Sequence, residues 1–388
     1  MIAALIMLGV FLLSNMPSPI YPLWQSDLGY STATITLLFS LYQGGVLIGL
    51  LGLGRFIDKI GWRVSLIGGT TLSLMAALIF ASAHSPEQLM LGRLFSGIAA
   101  GIFVSSGPAA VTAILENKGH PKPSLVSSLA ISIGLAFGPL LGGLFADYLP
   151  SPTQTVFMFE AILLLIGAIL LLINKPLKAA ASFHLNADVT PMIDEHNPLP
   201  HPKTLFIAVT IIFASCYITS GIYMSIGSAY LQQTLAVNSA FLAGVLVFLV
   251  FGSAFVAQML LAKFSPLTQS KVALFIGGTG AIILVIGTMQ NSAMALFVSA
   301  IFSGASQGLG QLVGLTLIRR ITKLHQLRRA YAILNTVGYG ASGGSIAASW
   351  PLFGLLGTIG AIIVIASCVV FLTIIAAVLT AVHKESMC

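Results

Sequence analysis

The chain has 388 residues, of which 57% are hydrophobic and only 7% are charged, whereas soluble domains carry about a quarter of charged residues. A mean hydropathy of +1.01 excludes an ordinary soluble protein of this size and indicates a protein embedded in a bilayer. The net charge of +7 is compatible with a nucleic-acid partner, but the basic residues stand one or a few per loop, which favours a role in membrane topology. We therefore predict the lipid bilayer as the surroundings and no nucleic acid as a partner.

Twelve apolar stretches follow one another along the chain, and each is long enough for the roughly 20 residues that a helix needs to cross a bilayer. We predict helices rather than strands, because the strands of membrane barrels alternate apolar and polar residues and these stretches do not. The stretches cover residues 2–24, 31–54, 64–83, 87–115, 123–149, 153–174, 204–231, 236–262, 270–290, 292–318, 327–349 and 352–382. The predicted fold class is an all-α membrane protein with twelve transmembrane helices.

The Lys and Arg residues predict the orientation of the helices. Of the seventeen, sixteen lie in alternate gaps between the apolar stretches or at the ends of the stretches that border those gaps. Because short loops rich in Lys and Arg stay in the cytoplasm, we expect both termini to be cytoplasmic in a multi-pass protein of the bacterial inner membrane. The first stretch has neither a basic start nor a small-residue cleavage site, which predicts a retained helix rather than a signal peptide.

One long polar segment interrupts the pattern, with five prolines between Lys175 and Lys203. It predicts a cytoplasmic linker, 176–203, between an N-terminal six-helix half, 1–175, and a C-terminal six-helix half, 204–388. The segment around Gly97 resembles that around Gly304 in the second half. An even number of helices per half gives both halves the same orientation, so this pattern predicts a parallel repeat around a central cavity, as in many secondary transporters.

The loop after the second stretch carries a motif of glycines and charges, Gly54-Arg-Phe-Ile-Asp58-Lys-Ile-Gly61-Trp-Arg63. The glycines permit a tight turn, and Asp58 is placed to cap the next helix or to pair with a neighbouring cation. The motif resembles the loop signature of the major facilitator superfamily, although a Trp stands where a basic residue is commoner. The alternative is a basic turn that only sets topology.

The fourth stretch holds the one cation deep inside a predicted span, Arg93, followed one turn later by Gly97. An arginine is costly in hydrocarbon, so Arg93 should face a cavity or a partner group. The pair resembles the Arg-x-x-x-Gly signature of the same superfamily. Pairing with a carbonyl or an acid for structure alone is the alternative.

The fifth stretch reads Gly134-Leu-Ala-Phe-Gly138-Pro139-Leu-Leu-Gly142-Gly143. Glycines one turn apart form a flat stripe for close helix packing, and Pro139 removes a helical hydrogen bond. The run is similar to the motif typical of drug/proton antiporters within the superfamily, and it is more specific than a bare G-x-x-x-G. An ordinary packing kink is the alternative.

The resemblance implies that the first, fourth, seventh and tenth helices line a substrate cavity. Polar side chains share faces of these helices and of the eleventh. The candidate cavity residues are Ser18, Tyr21, Arg93, Gly97, Tyr217, Tyr223, Gln307, Gln311, Asn335 and Tyr339. Each of them can instead be a polar contact between helices.

Glu160, in the sixth stretch, is the one carboxyl predicted deep inside a span, which makes it the candidate for proton coupling. Arg93 enters the membrane from the same side to a similar depth, so a pair between the two is expected to be within reach. The resemblance places the sixth helix away from the cavity, which favours a structural role.

Together these features predict a monomeric secondary transporter that exports small hydrophobic compounds or drugs in exchange for protons, by alternating access. An importer or metabolite permease is the first alternative, and a membrane enzyme or receptor is the second. No phosphate-binding G-x-x-x-x-G-K-[ST] loop occurs in the sequence. We predict no enzymatic activity, no cofactor and no metal site. With Arg93 and no acid deep inside the first or fourth helix, neutral or anionic cargo is favoured unless Glu160 reaches the cavity.

Overall fold

The computed structural model describes residues 2–53, 62–116, 119, 123–173, 202–322 and 324–384. These residues are almost all helical and contain no strand. The helices are α1 (Ile2–Leu28), α2 (Thr32–Leu47), α3 (Trp62–Ala81), α4 (Pro86–Glu116), α5 (Pro123–Tyr148), α6 (Pro152–Ile173), α7 (Pro202–Ile222), α8 (Ala240–Leu261), α9 (Pro266–Met289), α10 (Ala293–Ile321), α11 (Leu324–Ala348) and α12 (Trp350–Val382). Each helix overlaps one of the twelve predicted stretches.

Within the described part of the chain, eleven of these helices are long and apolar enough to cross a membrane by length and composition. The other is α11, whose first two turns contain His325, Gln326, Arg328 and Arg329. Large apolar side chains cover the outside of the helices, as on α6, where Ile162 and Ile166 are exposed. Such surfaces suit lipid and would be costly in water.

Two prolines break α1 in its middle. The helix runs over Ile2–Asn15, passes through a 3-10 turn at Ser18–Ile20 and resumes at Tyr21–Leu28. Pro17 and Pro19 lack the backbone N–H that a continuous helix needs, so carbonyl groups of the preceding turn are left for other partners. This break places polar backbone groups deep inside the protein.

Contacts divide the chain into two units, Met1–Phe183 with Met224–Phe248, and His184–Tyr223 with Leu249–Cys388. The predicted linker lies almost wholly outside the described residues, so the boundaries at 175 and 203 stay predictions. The stretch Met224–Phe248 groups with the first unit because the start of α8 packs on α5, as described below.

In the first unit, α4 packs on α2 without intervening side chains. A β-carbon added at Gly97 would collide with the carbonyl oxygen of Tyr42, and one added at Gly101 would collide with that of Val46. Only glycine permits two helix backbones to approach so closely. The structure therefore places Gly97 in the contact between α2 and α4.

In the second unit, α10 packs on α8 in the same way. A β-carbon added at Gly304 would collide with the carbonyl oxygen of Val250, and one added at Gly308 would collide with that of Ala254. In the sequence repeat Gly304 aligns with Gly97 and Gly308 with Gly101. The same packing rule is thus used in both units.

Candidate functional site

Arg93 lies buried in the first unit, where the break in α1 supplies its partners. One terminal nitrogen donates to the carbonyl oxygen of Ser14 at 2.7 Å, and its Nε donates to the hydroxyl of Tyr21. The guanidinium also lies over the rings of Tyr21 and Tyr42, at 5.0 and 5.3 Å from their centres. A carbonyl, a hydroxyl and two aromatic faces therefore stabilise this buried cation.

Ser18, in the turn of α1, donates from its hydroxyl to the carbonyl oxygen of Met224 at 3.2 Å. Met224 belongs to a π-helical turn, Tyr223–Gly227, that continues α7. Such turns are rare and occur most often at functional sites. Two irregular helix segments thus meet through a side-chain hydrogen bond.

Tyr30 follows the end of α1 and supports the same region. Its hydroxyl donates to the carbonyl oxygen of Tyr21 at 2.9 Å. Burial raises the pKa of Tyr30 above its ordinary value, so the phenol keeps its proton and remains a donor. The position of Tyr21, and through it that of Arg93, is therefore fixed from two sides.

Glu160 is completely buried on the inner side of α6. Neither of its carboxyl oxygens has a hydrogen-bond partner. Glu160 lies beside α1 at Gly9, where an added β-carbon would be 3.4 Å from Oε1. The Arg93–Glu160 pair is not formed in this structure, since Arg93 bonds to α1 instead.

In the second unit, the candidate cavity residues of α7, α10 and α11 come together around aromatic rings. The ring of Tyr217 stacks on that of Phe213 with centres 4.4 Å apart and meets the edge of Tyr339 at 5.7 Å. The amide of Gln307 hydrogen-bonds the hydroxyl of Tyr217. Asn335 precedes Tyr339 by one turn of α11 and is partly exposed.

Two further candidates of the second unit have other partners. The hydroxyl of Tyr223 accepts a hydrogen bond from Ser303 at 3.2 Å. Gln311 accepts one from the amide of Gln258 at 3.3 Å. Both lie in contacts between helices, and whether either touches substrate stays a prediction.

The glycine motif of α5 packs on two different helices within the first unit. A β-carbon added at Gly138 would collide with the carbonyl oxygen of Leu12, and one added at Gly142 would lie 2.6 Å from that of Met16. The corresponding addition at Gly134 would lie 2.6 Å from Cβ of Phe11. This stripe therefore fits α5 against α1.

Gly143 faces the other way, toward α8. A β-carbon added there would collide with the carbonyl oxygen of Ala240, and one added at Gly244 of α8 would collide with that of Pro139. The two backbones are thus in direct contact at Pro139 and again one turn later at Gly143. The motif is a junction at which α5 touches α1 and α8 at once.

Asp147, one turn after Gly143, closes this junction. Its carboxylate accepts hydrogen bonds from the backbone N–H groups of Ala240 and Phe241, at 2.8 and 3.0 Å, and from the hydroxyl of Ser239 at 2.7 Å. It therefore caps the first turn of α8 from another helix, where a negative charge is also stabilised by the helix dipole. Nothing in the sequence around Asp147 identifies so distant a partner.

The loop motif between α2 and α3 lies mostly outside the described residues, including Gly54, Asp58 and Gly61. Arg63 is described, in the first turn of α3, and is half-buried. In the described part of the chain, no group of three or more His, Cys, Asp or Glu side chains is placed to hold a metal ion.

Comparison with known proteins gives the family and the fold. A family model described as Major Facilitator Superfamily matches residues 3–289. A crystal structure of a bacterial homologue of the human lysosomal transporter Spinster has a TM-score of 0.69 at 15% identity, covering 99% of this chain and 96% of that one. A POT family transporter in complex with a peptide conjugate has a TM-score of 0.75 at 13% identity, covering 100% and 95%. The predicted fold class is confirmed.

Curated relatives match over part of their length. Multidrug resistance protein MdtL of Klebsiella pneumoniae is 31% identical over 137 residues, 35% of this chain and 34% of that protein. Multidrug resistance protein 1 of Bacillus subtilis is 26% identical over 152 residues, 39% and 38%. Quinolone resistance protein NorA of Staphylococcus aureus is 28% identical over 178 residues, 45% and 44%. The matches thus span less than half of these relatives.

Proposed function

Because the chain belongs to the major facilitator superfamily, and is therefore a multi-pass membrane transporter of small molecules, we propose that it exports small, largely hydrophobic compounds in exchange for protons. The partial matches to relatives named for multidrug and quinolone resistance support export. The proposed exporter is a monomer in the bacterial inner membrane. Both of its termini lie in the cytoplasm, which the distribution of Lys and Arg favours.

The observation that carries the proposal is the junction at the glycine motif of α5. Alternating access requires helices to separate and close again around a central site. At Gly138 and Gly143 the backbone of α5 touches α1 and α8 with no side chain between them. Contacts of this kind are either made or lost, because closely packed backbones tolerate little intermediate displacement. The junction can therefore exist in two discrete conformations, one in which these contacts are made and one in which they are lost.

Proton coupling through Glu160 is supported by its burial without a partner. An ionised carboxylate is strongly disfavoured in such a place, so the carboxyl holds a proton in this conformation. Release of the proton requires either water or a cation to reach the group. Arg93 is the buried cation of the same unit, and its approach in another conformation would favour release.

The cargo that fits these groups is neutral or anionic. A lipophilic cation is repelled by Arg93, and Glu160 carries no negative charge while it is protonated. The exchanged proton is then carried by a side chain of the protein, so the substrate itself need not be charged.

Export is tested in cells that lack the gene or overexpress it, by following the accumulation of fluorescent hydrophobic compounds of cationic, neutral and anionic type. We expect overexpression to lower the steady-state level of neutral or anionic compounds, and collapse of the proton gradient to remove the difference. Overexpression that raises accumulation would show an importer. Equal accumulation of every compound in both strains would contradict the proposal.

A further inference from the structure

A cluster in the second unit combines flat apolar surfaces with unpaired polar atoms. We call it the aromatic–amide site and define it by Phe213, Tyr217, Gln307, Tyr339 and Ser342. Its rings pack at 4.4 and 5.7 Å, as described above. None of the five side chains is charged, so the surface that they form is neutral.

The backbone builds the aromatic part of the site. A β-carbon added at Gly338 would collide with the ring of Phe213, and one added at Gly314 would lie 3.1 Å from the same ring. The two glycines thus provide the space in which Phe213 sits between α10 and α11. Phe213 in turn holds Tyr217 in place by stacking. The orientation of the Tyr217 ring is therefore a consequence of two glycine positions.

The polar part of the site has acceptors without donors. The amide of Gln307 is held by its hydrogen bond to Tyr217, and its oxygen Oε1 has no partner. Ser342 follows Tyr339 by three residues on the same face of α11, and its buried hydroxyl oxygen also lacks a partner. Both side chains are more than nine-tenths buried. Unpaired buried polar atoms are rare, and a bound donor would satisfy them.

We propose that the aromatic–amide site binds neutral, flat aromatic compounds that carry one N–H or O–H donor. The aromatic body stacks beside Tyr217 and Tyr339, and the donor is accepted by Oε1 of Gln307. Tyr339 is partly exposed, so the edge of the cluster is accessible. This inference rests on the proposed function, since it names the class of compound that the exporter carries.

Two probes of the same shape isolate the hydrogen bond. Carbazole is neutral, flat and carries one N–H, whereas dibenzofuran has an ether oxygen in its place. We expect the purified protein in lipid nanodiscs to bind carbazole about fivefold to tenfold more tightly than dibenzofuran, as one hydrogen bond to a buried acceptor predicts. Equal affinities of the two probes for the wild-type protein would overturn the proposal.

Variants then assign the contact to residues. Gln307→Leu should lose the preference for carbazole while leaving dibenzofuran binding unchanged, and Tyr339→Leu should weaken both probes severalfold. Thr336→Val is the matched control on α11, because Thr336 bonds only to the carbonyl of Ala332 in its own helix. A Gln307→Leu variant that keeps the full preference would refute the assignment. Should it fail to fold, Gln307→Asn withdraws the same amide oxygen by one methylene and must reduce the preference for carbazole.

Binding and export are measured separately, so the two proposals fail independently. Carbazole preference without proton-driven export would leave the site intact and refute the transport proposal. Proton-driven export of compounds that bind without regard to Gln307 would leave the transport proposal intact and refute the site.

Discussion

Replacement of Glu160 by Gln tests the coupling of transport to protons. Glutamine has the shape of a protonated glutamate but cannot release a proton. Because both carboxyl oxygens already lack partners, the amide gains and loses no hydrogen bond in this conformation. We therefore expect the free energy of unfolding to change by less than about 1 kcal/mol and the protein to reach the membrane in normal amounts.

The expected loss of transport is set by the proton gradient. One proton moving down a gradient of one pH unit supplies about 1.4 kcal/mol, which supports about a tenfold concentration ratio of cargo. If Glu160 carries the one exchanged proton, Glu160→Gln abolishes this ratio and leaves only downhill exchange. The wild-type protein should approach a tenfold ratio under the same gradient.

The assay uses proteoliposomes with an imposed pH gradient and a radiolabelled neutral compound. Glu87→Gln is the matched control, because Glu87 is exposed at the start of α4 and is not part of the buried network. Accumulation by Glu160→Gln at the wild-type ratio would refute the reasoning. The exchanged proton would then have to be carried by Asp27, Asp58, a histidine or the substrate.

The remaining predictions concern the α5 junction and the topology. Gly143→Leu should abolish transport with little loss of protein from the membrane, because the larger side chain destabilises the contact with α8 by about 1–3 kcal/mol. Transport and the amount of protein in the membrane are measured together. Asp147→Ala should lower the free energy of unfolding by about 0.5–2 kcal/mol through loss of the cap of α8, and should slow transport, whereas Asp147→Asn keeps part of the cap. Thermal unfolding measures the first effect and transport flux the second. Reporter fusions at Asn186 and after Lys384 should be active only as cytoplasmic reporters.

Each of these predictions has an outcome that would contradict it. Gly44→Leu is the control for the first, because a β-carbon at Gly44 meets nothing within 4 Å, and equal transport by the Gly143 and Gly44 variants would reduce the motif to ordinary packing. Unchanged melting of Asp147→Ala would show that the cap contributes nothing. A periplasmic signal from either fusion would reverse the topology.

The helices could be predicted from the sequence because hydropathy over about 20 residues is a local property. The close packing at the glycine stripes could be predicted as well, since the absence of a side chain is visible at each position. The partner helix could not be predicted: Gly142 and Gly143 are adjacent in the chain, yet the first packs on α1 and the second on α8. That choice depends on the whole arrangement of helices.

For the polar residues, burial could likewise be predicted from the sequence, whereas their hydrogen-bond partners could not. The burial of Arg93 and Glu160 follows from their places inside apolar stretches. That Arg93 bonds to Ser14 and not to Glu160 depends on the break in α1, which frees backbone groups beside it. The π-helical turn at Tyr223–Gly227 has no sequence signal of its own, because it lies within a continuous apolar stretch.

The most direct test of the central claim is the simultaneous measurement of cargo and proton movement by the wild-type protein in proteoliposomes. Internal pH is followed with a trapped dye while a neutral hydrophobic compound is driven across the membrane by its own gradient. The account predicts that protons move in the opposite direction to the compound, in a fixed ratio. In Glu160→Gln the proton movement should stop. Transport of the compound without any change of internal pH, or with protons moving in the same direction, would contradict it.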